Sequence, residues 1–211
     1  MRNNITLTLK LTLEKKTNIG AGGLALKVQS DIPFKNIRIN DKIVKIIPGS
    51  TIKGLLRTGL IRISNLLGYS DVTKSVNPSI VKYRGKDIVT KLFGRPHDIS
   101  SKVIVEPAFI ERKGFTLTHV RINDRIGTAE ERGLFTREYM PIGEQVKVRI
   151  DGFGLDLEEA RALLLSVVEL NYEKIGKSGC VNVKIIKEES EFPPEFLGDP
   201  VIKEILEVIG E

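Results

Sequence analysis

One cysteine, two histidines, no tryptophan and 6% aromatic residues leave little room in these 211 residues for several common chemistries. A single Cys cannot form a disulfide within the chain and cannot build a thiolate zinc site, which points to a reducing, cytoplasmic setting. His97 and His119 have no metal-ligand partner at helical or hairpin spacing, so a preformed zinc site is not expected. No serine nucleophile elbow is present, and Cys180 reads as a small buried residue of a strand, so triad hydrolases are excluded. The N-terminal MRNNITLTLKLTLEKK alternates polar and apolar residues, which fits neither a signal peptide nor a membrane span. Scarce aromatics weigh against rows of bases stacked on an aromatic platform, so contacts to a nucleic acid would have to run through its backbone. What is abundant is charge: 33 Lys+Arg against 27 Asp+Glu, a net charge of +6 and a pI near 9.3. That excess favours a polyanionic partner, with solvated lysine faces as the plain alternative. With 41% hydrophobic residues, the length suits one globular domain spanning 1–211 that hides roughly 70% of its unfolded surface.

Strict alternation over Asn4–Leu13, with Thr on the opposite face, predicts a first strand. The glycine-rich turn Asn18-Ile19-Gly20-Ala21-Gly22-Gly23 and an irregular loop follow, and Ile37–Ile47 reads as a hairpin around Asn40-Asp41. Ser50 reads as the N-cap of a helix over Thr51–Ile63. Gly68–Lys91 reads as a long surface insertion. Lys102–Ile110, Phe115–Ile122 and Gln145–Ile150 read as strands, with a polar excursion before the last. Asp156 and Glu159 form a capping-box start for a helix to Leu170, Val181–Ile186 gives a final strand, and Asp199-Pro200 opens a C-terminal helix. The order β, α, β, β, α, β with insertions is that of an α+β, ferredoxin-like (RRM-like) fold, whose open sheet face or helix ends commonly bind RNA.

The richest segment is Ile47-Pro48-Gly49-Ser50-Thr51-Ile52-Lys53-Gly54-Leu55-Leu56-Arg57. A tight turn delivers a helix N-terminus whose free N–H groups attract an anion, and Lys53 and Arg57, four apart, fall on one face beside it. The alternative is an ordinary surface helix with solvated cations. Gly54, costly in a helix, suggests close approach of a backbone or nucleotide. Asp31 stands in its loop without a second acid nearby, and by itself reads as a turn former bonded to its own backbone. Asn123–Tyr139 is polar and suits an exposed finger or a solvated loop.

Taken in order, N-I-G-A-G-G, I-P-G-S-T-I-K-G-L-L-R, Leu92-Phe93-Gly94 ahead of Pro107-Ala108-Phe109, and I-N-D-R-I-G-T-A at Ile122–Ala129 resemble the RAMP superfamily of CRISPR-associated proteins, specifically the backbone subunits of type III effector complexes. The resemblance implies a ferredoxin-like palm with insertions at about 14–49 and 68–100, a thumb at about 123–139, and stacking with other RAMP subunits and the large subunit along a CRISPR guide RNA. It implies guide contacts at Gly20, Gly22, Gly23, Ser50, Lys53 and Arg57, and duplex or neighbour contacts at Arg125, Thr128, Arg132 and Arg137. Ile175-Gly176-Lys177-Ser178-Gly179-Cys180 stands where the family carries a glycine-rich loop, with Lys177 in place of its usual Arg. Slicing members carry an Asp after the glycine turn, and Ser30-Asp31-Ile32-Pro33 occupies that place. Asp31 would then be both catalytic residue and ligand of a divalent metal, Mg²⁺, in cleavage of target RNA. A guide-binding subunit that does not cut, and an endoribonuclease that matures the CRISPR transcript with a general base, are the alternatives. Base pairing, not the protein, would read sequence.

Overall fold

The structure is a computed structural model and describes residues 3–20, 30–69, 72, 87–95 and 99–211. Its central sheet is built on β1 (Ile5–Leu13), flanked by β8 (Gln145–Gly152) and β9 (Val181–Ile185), with β4 (Val103–Val105) outside β8. The order β4-β8-β1-β9, antiparallel throughout, is the strand order of the ferredoxin-like fold. α1 (Gly49–Ile63) joins β1 to β4 through a small side sheet, and α3 (Leu157–Glu169) joins β8 to β9.

The alternation of β1 has its expected consequence. Ile5, Leu7, Leu9, Leu11 and Leu13 form a buried row that packs into one core with Ile52, Leu56 and Leu60 of α1 and Leu163, Leu164 and Val167 of α3. Each such side chain stabilises the fold by about 1.5–3 kcal/mol through burial. On the opposite face, Thr6 donates to Asp151 at 2.8 Å, and Lys10–Glu211 and Lys147–Glu189 pair as ions. α3 opens on the capping box, with Asp156 accepting from the Glu159 N–H at 2.8 Å and Glu159 accepting from the Asp156 N–H at 2.9 Å. α2 (Ile88–Phe93), α4 (Pro194–Leu197) and α5 (Pro200–Ile209) complete the α-helices among the described residues, and α5 has Pro at its first position as predicted.

Several expectations are corrected. Lys102–Ile110 is not one strand: Glu106-Pro107 interrupts it, because proline has no N–H for a ladder, and β5 (Ala108–Ile110) leaves the central sheet. β5 pairs with β3 (Lys42–Ile47), itself paired with β2 (Asn36–Ile39) across Asn40 and Asp41 at φ 44° and 63°, the twist that a two-residue hairpin demands. Phe115–Ile122 is not a palm strand either. As β6 (Phe115–Asn123) it pairs only with β7 (Thr128–Tyr139), so the finger runs over 115–139 and both its arms are strands. The first residue outside α1 is Pro48, not Ser50, and no side chain caps the helix. Gly22, Gly23 and most of Gly68–Lys91 lie outside the described residues.

Candidate nucleic-acid interface

Three long connections leave the sheet at one end. Leu13 at the end of β1 faces Val181 at the start of β9, Thr12 faces Gln145 at the start of β8, and Gly49 at the head of α1 lies against the end of β4. Gly49 is obligatory there, since a Cβ would collide with the Val105 carbonyl. The loop after β1, the glycine loop before β9 and the root of the β6–β7 hairpin are thereby gathered together.

The loops clasp one another through backbone. The Lys177 N–H donates to the Asn18 carbonyl at 2.7 Å, and the Asn18 N–H to the Lys177 carbonyl at 3.2 Å. Gly176, at φ 58°, allows that approach, because a Cβ would strike the same Asn18 carbonyl. Thr17 and Met140 exchange backbone bonds at 3.1 and 2.8 Å, and the Asn18 amide donates to the Glu138 carbonyl at 2.6 Å, tying the hairpin root to the loop after β1. Lys177 is thus brought beside Lys15, Lys174 and the backbone of Gly176 and Gly179 in one open depression. Among the described residues, no carboxylate lies within ion-pair distance of Lys15, Lys16, Lys174 or Lys177. Lys16 lies 5.5 Å over the Tyr139 ring. Only Lys177 of this cluster was anticipated. Its companions sit in polar loop runs, Glu14-Lys15-Lys16 and Glu173-Lys174, whose lack of periodicity says nothing about where they converge.

Lys53 and Arg57 do not project beside the helix head as a phosphate clamp. They lie about 6 and 12 Å down α1 from Gly49, and their donors face the chain itself. Lys53 donates to Ser101 Oγ at 2.7 Å and to the Val103 carbonyl at 2.8 Å, and Arg57 to the Gly94 carbonyl at 2.8 Å. Burial, reinforced by the neighbouring Arg57 charge, lowers the pKa of Lys53, and burial lowers that of Arg57 against the opposing pull of Asp87. Ser50 remains exposed in the open first turn. Gly54 meets no atom of the described residues, outside its own helix backbone, within 4 Å of where a Cβ would stand.

Asp31 is tied to the hairpin. Its Oδ2 accepts from the N–H and hydroxyl of Thr136 in β7, at 2.7 and 2.8 Å, and its own N–H donates to Thr136 Oγ1 at 2.9 Å. Ile32 extends the seam, its N–H donating to the Thr136 carbonyl and its carbonyl accepting from the Glu138 N–H, both at 3.0 Å. Glu138 in turn pairs with Lys45 at 2.6 Å and accepts from the Phe34 N–H at 3.0 Å. Asp31 is exposed at this seam, and the described residues hold no cluster of three metal-ligating side chains. The donor set fits a hydrated Mg²⁺ that takes its other ligands from RNA phosphate, and does not fit a cage made of protein alone.

The remaining anticipated residues spread along the hairpin. Arg125 and Thr128 are exposed at its tip, where Asn123 Oδ1 accepts from the Arg125 N–H at 3.0 Å. Arg132, at φ 58°, sits on the bulge where the register shifts between Val120 and Ile122. Arg137 is half-buried at the root, its guanidinium 5.6 Å over the Phe135 ring. Gly20 bridges to Phe34. His97 is outside the described residues, and His119 lies in β6 with its Nε2 3.1 Å from the Tyr139 hydroxyl. No helix among the described residues is long and apolar enough to cross a membrane.

The family model of the RAMP superfamily matches residues 10–180, so the chain belongs to that superfamily, which gives it a CRISPR-associated, RNA-binding role. No curated protein matches the chain significantly.

Proposed function

We propose, from that membership as premise, that the chain is a guide-RNA-binding subunit of a type III effector complex, stacked on other RAMP subunits and the large subunit. Guide phosphates lie against the end of the sheet, at Lys15, Lys16, Lys174, Lys177 and the backbone around Gly20 and Gly176. The exposed head of α1 at Ser50 adjoins the strand's path, with Lys53 and Arg57 shaping that turn from below. The hairpin, through Arg125, Thr128, Arg132 and the root residue Arg137, reaches across the guide and target RNA. The carrying observation is the convergence, on a backbone clasp at one end of the sheet, of lysines that have no carboxylate partner among the described residues, while Lys10 and Lys147 on the sheet's open face are paired.

The test is a salt titration of single-stranded RNA binding by the full chain. Affinity should fall with salt, with a slope of roughly 0.7 per phosphate neutralised, and Lys15→Glu with Lys177→Glu should flatten it. An unchanged slope would remove the cluster from the interface. Co-expression with its neighbouring subunits should recover a complex carrying CRISPR RNA, and a chain recovered alone would argue against the type III assignment.

A second reading adds cleavage of target RNA. The observation that favours it is Asp31, exposed on the seam with its carboxylate orientation fixed by Thr136. When bound there, Mg²⁺ supplies charge neutralisation at the scissile phosphate. The chain's own part is to hold the carboxylate aimed, through the Thr136 N–H and hydroxyl. Asp31→Ala should preserve guide binding and assembly and abolish cutting at positions facing this subunit, as chelation of divalent ions should. Persistent cutting leaves the non-catalytic guide binder.

A further inference from the structure

Next to the lysine cluster lies a depression of different character, about 620 Å³, with Phe115, Pro141 and Ile142 for its floor and Lys15, Lys16 and Ser178 at its rim. It shares Lys15 and Ser178 with the basic depression that holds Lys174 and Lys177. The floor is open to solvent: Phe115 keeps 39% of its surface exposed and Ile142 66%. The Phe115 ring is also held in place. It leans on Tyr139 at 6.1 Å between centroids and 28° between planes, Tyr139 is bonded through its hydroxyl to His119, and His119 stacks on Phe135 at 5.3 Å. An aromatic ladder therefore does exist here, on one face of the hairpin, despite the low aromatic content, and Phe115 is its solvent-facing member. A ring fixed before binding adds little ordering cost when a ligand stacks on it.

An apolar occupant alone would leave the rim ammonium groups unmatched, and an anion alone would leave the floor wet. A nucleotide satisfies both, offering a π-face beside a phosphate. We infer that this depression seats one unstacked base of the bound RNA strand against Phe115, with the adjoining phosphate at Lys15 and Lys177. The inference rests on the sheet end being the RNA site.

Because the chain has no tryptophan, Phe115→Trp places a sole indole in the floor. The full-length variant is titrated with a single-stranded oligoadenylate and with a ribose-phosphate oligomer of equal length that lacks bases, binding being followed by the anisotropy of an end label. The expected result is that both bind and only the oligoadenylate quenches the indole. In parallel, Phe115→Leu, which keeps an apolar floor, should weaken oligoadenylate binding about tenfold and leave the base-free oligomer unaffected. Binding of both without selective quenching, or with equal loss on Phe115→Leu, overturns the base seat and leaves the phosphate site standing. Failure of both oligomers to bind overturns the phosphate site and the seat with it. Emission that shifts with protein concentration in the absence of RNA gives the depression to a side chain of a second copy, which also overturns the seat.

Discussion

Lys53 and Arg57 on α1 and the lysines at the end of the sheet carry the same charge and are used in opposite ways. The helix pair faces carbonyl oxygens of the chain itself, Gly94 behind α2 and Val103 on the edge strand β4, the latter shared with Ser101 Oγ, and each cation completes the fold by donating to them. Among the described residues the loop lysines meet no such acceptors, because the loops of the clasp satisfy their backbones with each other. What makes a cation available to a ligand is therefore the hydrogen-bond demand of its surroundings, and a motif of the right residues at helical spacing does not reveal that demand.

The contrast can be broken most directly by reversing charge at Lys15, Lys16, Lys174 and Lys177 together. RNA affinity at moderate salt should fall by about a hundredfold or more while the melting temperature stays put, as measured by anisotropy and calorimetry. Neutralising the helix pair should do the reverse. Arg57→Met and Lys53→Met should each cost about 2 kcal/mol, the worth of charge-assisted hydrogen bonds, and so about 4–8 °C of melting temperature, with RNA affinity of the folded protein nearly unchanged. If affinity collapses and stability holds, the two regions have been assigned the wrong way round.

A smaller effect separates clasp from cluster. Thr136→Val removes the hydroxyl that bonds to Asp31 and should cost about 1 kcal/mol, visible as faster hydrogen exchange at Ile32 and Glu138, with no change in the salt slope. The smallest effect concerns pH. Burial holds the pKa of Lys53 below its ordinary 10.5, so in the alkaline window beneath 10.5 the unfolded chain binds more protons at this site than the folded one. Stability of the wild type relative to Lys53→Met should therefore rise slightly as pH increases through that window, read as a shift in denaturant midpoint. The exposed part of Lys53 keeps the effect small.

Much of the palm is written in local pattern. The alternation of β1, the capping box of Asp156 and Glu159 and the Pro200 helix start are each fixed within a few residues, and each is found where the pattern puts it. Partner choice is not local. Phe115–Ile122 alternates as well as a palm strand does, and only its pairing along β7 makes it a hairpin arm. The same limit hid the aromatic face of the hairpin. Phe115, His119, Phe135 and Tyr139 are sparse in sequence and become a ladder only when β6 and β7 align in register. Asp31 was legible as a residue of interest, but its partner lies 105 positions away and no local rule could name it.

The seam between Ile32 and β7 gives the hairpin a mechanical role. β6 has 9 residues, an arm of about 30 Å, and its base is pinned by the bonds of Asp31, Ile32 and Asn18 to Thr136 and Glu138. A rod anchored in this way is a lever with its fulcrum at the seam. A swing of about 10° carries the tip through about 5 Å and moves atoms beside the fulcrum by well under 1 Å, for an arm of that length. Because the Asp31 carboxylate hangs on the short side, large excursions of the tip reach it geared down to the scale of a single hydrogen bond.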